Sequence, residues 1–422
     1  MFDQGITGLI NYGSQCFVNA VIQSLAGCRS IVNWLQYSSK LNDQWLTDVI
    51  NGNNNTRENC PKENKLTSSL LTTIQSINQR DKGNTNASSQ GVLNALRYHR
   101  WRIPNGEQDA HELFNALTTT LESELYSSMP VYSLSDAILM EELMKNSLRN
   151  KSSPRITTRG SQDAFTSITG LIPRPLPTKG LLASQLQCIN CGYKYPVHLE
   201  GFYSVSLAMP SVLLTGAASS LKNCLDKFVR NEIIQNVRCE ECSKSGDNPD
   251  FVKRLTFAKL PQILCIHFHR LTWLPNGMAV KKSDHVSFPE YLTMDDYVYQ
   301  QRLIKTIDPK KNNLDSIGGA FLGSFVTPYP HPSSTLLPNL LLGSNTNNKL
   351  FGSNRVKYRY RLVSTIVHIG DSQSGHFITY RRNVVGNDSS WYLTSDQVVR
   401  PVTLMEVLSR PAYMLFYERL KE

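Results

Sequence analysis

Apolar side chains divide this chain in two, recurring at helical spacing in its first third and alternating in its second half. Phe17, Val18, Val21, Ile22 and Leu25 fall on the three-and-four spacing of an amphipathic helix, and Gly27 offers a stop. The same spacing runs from residue 31 to 50 through Ile31, Trp34, Leu35, Leu41, Trp45, Leu46 and Val49. It predicts further helix over 66–77, and again from Ala110 through Leu113, Phe114, Leu117, Leu121 and Leu125. Asn51 to Lys65 and Gln79 to Gln90 read as polar loops, and 126–180, rich in Ser, Pro and Thr, as an irregular insertion. A period of two then takes over. His198 to Leu207 alternates through Leu199, Tyr203, Val205 and Leu207, and Gln262 to His269 is a β-rich run. Tyr358 to His368, Gly375 to Arg382 and Ala412 to Tyr417 read as strands, with an exposed loop at Asn345 to Asn354. Helices followed by sheet predict an α+β chain.

Composition narrows the class. The 422 residues are 40% hydrophobic, ample for a sizeable core. Lys+Arg 44 against Asp+Glu 34 gives +10 with few long runs of one sign, a weak argument for an anionic partner that does not demand nucleic acid. No apolar run approaches the roughly 18 residues of a spanning helix, and acidic Asp3 follows Met1 where a signal would be basic, so the chain as given reads as soluble. Nine cysteines are too sparse for a disulfide scaffold, and four of them form two Cys-x-x-Cys pairs. That usage points to a metal site in a reducing compartment, cytosol or nucleus.

The pairs are Cys188 with Cys191 and Cys239 with Cys242. A two-residue spacing lets one tight knuckle present two thiolates, and two knuckles complete a tetrahedral zinc shell. Such a shell leaves no position for water or substrate, so the expected role is structural, stapling the ends of an inserted β-rich segment that contains the 198–207 strand. The segment lacks a basic-aromatic stripe, which disfavours nucleic-acid binding.

The candidate chemistry begins at Gly8 to Asn19, a polar glycine-bearing turn that delivers Cys16 to the start of the first helix. A thiol there feels the positive end of the helix dipole, which favours the thiolate, and Asn11 upstream can aim its amide at an oxyanion beside the sulfur. Alone, such a cysteine opening an apolar helix is more often a buried small hydrophobe. A cysteine nucleophile needs a base and a group that orients the base. Of nine histidines, His376 is the best placed, because Gly375 lets the backbone approach closely and His376 opens a strand. Trp391 to Asp396 ends a later strand in a polar turn that can supply the orienting acceptor. Gln108 and Asp109 stand at the entrance of the Ala110 helix, where capping is the plain reading.

In order, these fragments resemble the ubiquitin-specific proteases, the cysteine-dependent deubiquitinases. The cysteine box is matched by Gly8 to Asn19, the Gln-Asp-Ala-His-Glu box by Gln108 to Glu112, and the histidine box by His368 to Phe377. Leu264 to Arg270, Val286 to Pro289 and Ala412 to Tyr417 are similar to the family's flanking strands. The resemblance implies a papain-like cysteine protease fold shaped as a hand, with a helical thumb (about 8–180), zinc-bearing β-fingers (about 181–258) and a mixed palm (about 259–422), all one catalytic domain over 1–422. It implies Cys16 as nucleophile, His376 as base and Asn11 as oxyanion donor. Ser395 falls at the third position, usually Asp or Asn, with Asp396 adjacent; Gln108 and Asp109 would hold ubiquitin's arginine-bearing tail.

The implied partners are ubiquitin, polyubiquitin chains and ubiquitinated proteins, met by a monomer without nucleic acid. The usual Gly-Asn-Thr-Cys turn is Gly13-Ser14-Gln15-Cys16 here, and a serine stabilises imidazolium less than a carboxylate does. An inactive ubiquitin-binding module is therefore the alternative reading. The likeness is strongest to a member associated with the mitochondrial outer membrane. That implies action on the cytoplasmic side at that membrane, although no anchor is legible in this chain.

Overall fold

The computed structural model describes residues 5–51, 65–78, 87–104, 106, 108–127, 174–209, 219–242, 248–273, 275–299, 358–372, 374–384 and 390–420. Most of the loops expected at 51–65 and 79–90, most of the insertion expected at 126–180, and the loop expected at 345–354 lie outside the described residues. Five helices open the chain: α1 (Cys16–Ala26), α2 (Arg29–Asn51), α3 (Leu66–Asn78), α4 (Gln90–Tyr98) and α5 (Ala110–Ser127). The strands are β1 (Gly180–Cys188), β2 (His198–Phe202), β3 (Val205–Ala208), β4 (Glu232–Ile234), β5 (Phe251–Lys259), β6 (Ile263–His269), β7 (Leu271–Trp273), β8 (Ala279–Lys281) and β9 (Tyr291–Thr293). They continue as β10 (Arg359–Gly370), β11 (Gly375–Arg382), β12 (Trp391–Ser395), β13 (Val398–Val402) and β14 (Ala412–Arg419). Two short helices, α6 (Leu221–Phe228) and α7 (Leu404–Leu408), lie among them.

Helix α1 is buried along its whole length, because α3, α5 and the large sheet pack around it. Glu124 of α5 fastens α3 by accepting the Leu66 N–H at 2.6 Å and the Thr67 N–H at 2.9 Å, two donors that a helix start otherwise leaves unpaired. The same carboxylate meets His99 Nε2 at 2.7 Å, which adds the end of α4 to the joint. Sequence reading missed α4, whose buried Val92, Leu93, Ala95 and Leu96 form a run too short to declare its period.

The large sheet has the order β13-β12-β11-β10-β14-β6-β3, with β9 on β10, and only the β3–β6 pair is parallel. It is covered on both faces. Along β14, Met414 and Phe416 join the helical core with Phe17 and Ile366, while Leu415 and Tyr417 join a second core with Leu225 and Val407. A separate antiparallel sheet, β2-β1-β5-β4, projects from this body, and β7–β8 form a hairpin.

The single strand expected over His198 to Leu207 is in fact two. Residues 198–202 pair with β1, whereas Val205 to Ala208 cross to β6 in the large sheet. The break falls at Tyr203-Ser204, where the Ser204 hydroxyl meets His111 Nε2 at 2.8 Å. Within 181–258, Val205 and Leu207 of β3 and Leu221, Cys224 and Leu225 pack into the second core of the large sheet.

Candidate active site

Gly8 opens the nucleophile loop under a tight constraint, since a Cβ there would lie 2.5 Å from the Gln397 carbonyl oxygen. That close approach lets the Leu9 N–H donate to the Asp396 carbonyl at 2.9 Å, while the Ile10 N–H donates to the Ala87 carbonyl at 2.9 Å. Asn11 then turns the chain: its Oδ1 accepts the N–H groups of Gly13 at 2.9 Å and Gln15 at 3.1 Å. Gly13 and Ser14 take the left-handed backbone that the reversal needs, with φ of 113° and 52°. Cys16 follows as the first residue of α1 and is buried. No acidic side chain stands in the first turn of α1, whose positive end lies at the thiol.

Helix α1 is clamped to the strand that carries the histidine. Thr379 Oγ1 of β11 donates to the Ala20 carbonyl at 2.8 Å, and Arg381 Nη1 donates to Gln23 Oε1 at 3.0 Å. Arg381 also donates to Asn78 Oδ1; it is fully buried, and that burial pushes its pKa down to about 9. His376 sits at the start of β11 beside Gly375, where an added Cβ would lie 2.3 Å from His368 Nε2. Its ring Nε2 lies 2.8 Å from Ser395 Oγ at the end of β12 and 3.9 Å from Asp396 Oδ2. Serine, the residue expected at the third position, is thus the direct partner of the imidazole.

Asp396 has a different set of partners. It begins the two-residue turn between β12 and β13 at a φ of 50°, in the left-handed region that Asp tolerates better than most residues. Its Oδ2 accepts from Asn11 Nδ2 at 2.9 Å and its Oδ1 from Asn19 Nδ2 at 2.8 Å. Asn19 was not anticipated from sequence, although an amide buried within the apolar run of α1 was a legible signal.

Gln108 and Asp109 line a cleft of about 420 Å³ bounded by the start of α5, the β7–β8 hairpin and the β10–β11 turn. Asp109 Oδ1 caps α5, accepting the N–H groups of His111 at 2.7 Å and Glu112 at 3.0 Å. Its Oδ2 accepts the Tyr413 hydroxyl, whose ionisation is held far above the usual phenol range by burial and by that neighbouring carboxylate. Capping, the plain reading of this position, is therefore present, and the carboxylate still faces the cleft. Asp109, Glu112 and Asp371 line the cleft together with Arg270 and Lys281. Lys281 Nζ donates to the carbonyls of His368 at 3.0 Å and Gly370 at 2.6 Å, latching the hairpin across the opening.

The four paired cysteines converge at the tip of the smaller sheet. Their sulfurs all lie within 4.8 Å of one another, with 3.7 Å from Cys188 to Cys242 and 3.6 Å from Cys191 to Cys239. A tetrahedron with Zn–S bonds of about 2.3 Å has edges of about 3.8 Å, close to the two shorter sulfur separations, so four thiolates here are a donor set of the kind that ion takes. This cluster can hold a metal ion.

Residues 7–417 match the family model described as ubiquitin carboxyl-terminal hydrolase. The chain belongs to that family. Ubiquitin carboxyl-terminal hydrolase 30 of Danio rerio is 33% identical over 461 residues, covering 99% of this chain and 86% of that protein. The Homo sapiens protein of the same name is 30% identical, covering 98% of this chain and 84% of its own. The SAGA DUB module bound to ubiquitin aldehyde has the same fold, with a TM-score of 0.60 and 20% identity, covering 99% of this chain and 70% of that one. Family membership makes this chain a cysteine-type deubiquitinase. The clamp ties the helix that Cys16 opens to the strand that His376 opens.

Proposed function

We propose that this enzyme cleaves isopeptide bonds between the C-terminal glycine of ubiquitin and lysine side chains of substrates or of ubiquitin chains, using Cys16, His376 and Ser395. The observation that carries this reading is the bond between His376 Nε2 and Ser395 Oγ at 2.8 Å, on a strand clamped to the helix that Cys16 opens. With Nε2 committed to serine, Nδ1 is the nitrogen left for the sulfur. His376 takes the Cys16 proton, and the thiolate attacks the glycine carbonyl, forming a C–S bond and a tetrahedral oxyanion. One N–H of the Asn11 amide goes to Asp396 and the other is assigned to that oxyanion. Collapse breaks the C–N bond as His376 protonates the departing lysine amine. Water, deprotonated by the same imidazole, then attacks the thioester and returns free ubiquitin and thiol.

Ubiquitin's extended tail is assigned to the cleft at Gln108 and Asp109, where the acidic groups match an arginine-bearing peptide. The four-cysteine cluster is assigned a structural zinc held by Cys188, Cys191, Cys239 and Cys242. When bound, that ion fixes the sheet tip and takes no part in bond cleavage. Ubiquitin chains and ubiquitinated proteins are the proposed partners of a monomer with no nucleic-acid role. The cytoplasmic side, at the mitochondrial outer membrane, is its proposed place of action, on family likeness. Cleavage of isopeptide-linked diubiquitin by the enzyme, lost in Cys16→Ala, tests the reading; a variant that retains turnover overturns it.

A further inference from the structure

Helix α4 begins with two serines that divide the work. Ser89 directly precedes Gln90, with its carbonyl accepting the N–H groups of Val92 at 3.1 Å and Leu93 at 3.2 Å. The capping is done one residue earlier: Ser89 itself has helical backbone angles, with φ of −85° and ψ of 0°, and Ser88 Oγ accepts the Gln90 N–H at 3.2 Å. The Ser89 side chain makes no such bond; its Oγ donates to Asn19 Oδ1 at 2.9 Å, with both residues buried. The Ser89 hydroxyl is thus spent on tying α4 to α1 rather than on its own helix.

The contact has a directional consequence. With the Asn19 oxygen occupied by a hydroxyl donor, its amide nitrogen must face the other way, toward Asp396 Oδ1 at 2.8 Å and the Ile10 carbonyl at 3.3 Å. A reversed amide would set its oxygen against the carboxylate. The other Asp396 oxygen receives Asn11 Nδ2 at 2.9 Å, and Asn11 Oδ1 is held by Gly13 and Gln15. Each link therefore fixes the orientation of the next. Asn19 lies one turn beyond Cys16 on the same helix, so the nucleophile and this string of bonds move as one body.

We propose that Ser89 and Asn19 are positioning residues of the reaction: the Ser89 hydroxyl sets the Asn19 amide, Asn19 sets the Asp396 carboxylate, and Asp396 sets the Asn11 donor beside Cys16. The proposal rests on the assignment of Asn11 to the oxyanion. It makes the backing residues act on the transition state and leaves ubiquitin binding to other surfaces.

Steady-state hydrolysis of ubiquitin carrying a fluorogenic C-terminal amide tests this with single and double variants of the full chain. Asn11→Ala should lower kcat about 100-fold, the scale of one lost oxyanion donor. Asn19→Ala should lower kcat about tenfold and Ser89→Ala about threefold, with KM within twofold of the parent and unchanged ubiquitin affinity in a Cys16→Ala background. In the Asn11→Ala background, both further losses should shrink to below about twofold, because the donor they align is gone. A merely structural bond between α4 and α1 would instead give losses that multiply, or a change in KM. Either result, or an unchanged kcat in folded Ser89→Ala, overturns the proposal even if Asn19→Ala does not fold. Full activity in Asn11→Ala would remove the oxyanion assignment and the proposal with it, and an inactive parent would fault the deubiquitinase reading instead.

Discussion

The seam between α1 and β11 and the four-cysteine cluster both join residues that are distant in sequence, by opposite physical means. At the seam, a large shared core holds Phe17, Val21, Phe377 and Met414 together, and buried hydrogen bonds from Thr379 and Arg381 set the register. At the sheet tip, the local core is Cys188, Cys239 and Phe251 with a few half-buried neighbours, too little apolar area to hold two knuckles in place. Packing can therefore maintain the seam alone, whereas at the tip the proposed zinc would have to do the holding. Catalytic geometry and ubiquitin engagement should be separable by experiment.

The largest effect should come from the seam. Because Ser395 Oγ is the contact that orients the His376 ring, Ser395→Ala should lower kcat roughly 100-fold while ubiquitin affinity stays the same. Turnover equal to the parent would move the orienting role to Asp396, 3.9 Å away. At the tip, metal analysis should find about one zinc per chain, and Cys191→Ser should raise KM for ubiquitin substrates about tenfold. Alkylation of Cys16 by a small iodoacetamide should proceed at the parent rate in that variant; a matching loss of alkylation would mean that the two regions are coupled.

Two smaller effects sharpen the boundary between them. Asp109 both caps α5 and faces the cleft, so Asp109→Asn, which still caps well, should raise KM about fivefold without changing thermal stability. Asp109→Ala should add a loss of about 1 kcal/mol in stability. Equal KM for both variants and the parent would leave the residue with its structural role alone.

The pH response belongs to the body of the molecule. His111 of α5 and His267 of β6 stack with centroids 4.0 Å apart, ringed by Asp109, His269, Arg270 and Tyr413. Burial, reinforced by His111, His269 and Arg270, pushes the His267 pKa down to about 2, and burial lowers that of His111 as well. His267 is then neutral in the folded chain, whereas in the unfolded chain it takes up a proton below about pH 6.5. The contribution of His267 to stability is constant above that value and falls as pH drops, by roughly 2 kcal/mol between pH 6.5 and 5. Thermal melts at fixed ionic strength should show this decline, and His267→Phe should flatten it. An unchanged slope in that variant would place the acid sensitivity elsewhere.

What sequence reading reached follows from how local each signal is. Cys-x-x-Cys pairs and the Gly375-His376 start of a strand carry their geometry within a few residues, so they were legible before any fold was known. Helix α1 and strand β11 were legible because their apolar periods are long. Helix α4 and the break between β2 and β3 were not, since a nine-residue helix and a two-residue switch between sheets leave almost no periodic trace. Least legible was the support behind the catalytic residues. The string from Ser89 through Asn19 and Asp396 to Asn11 exists only once the segment at Ala87 runs beside Leu9 and the β12–β13 turn closes over Gly8.

The most direct test of the central claim, that the seam presents Cys16 as the nucleophile for ubiquitin's C-terminus, is intact mass after incubation with ubiquitin bearing a cysteine-reactive C-terminal warhead. The account predicts one ubiquitin adduct on the parent chain and none on Cys16→Ala. No adduct on folded, zinc-loaded parent protein, or an adduct that persists in Cys16→Ala, would contradict it.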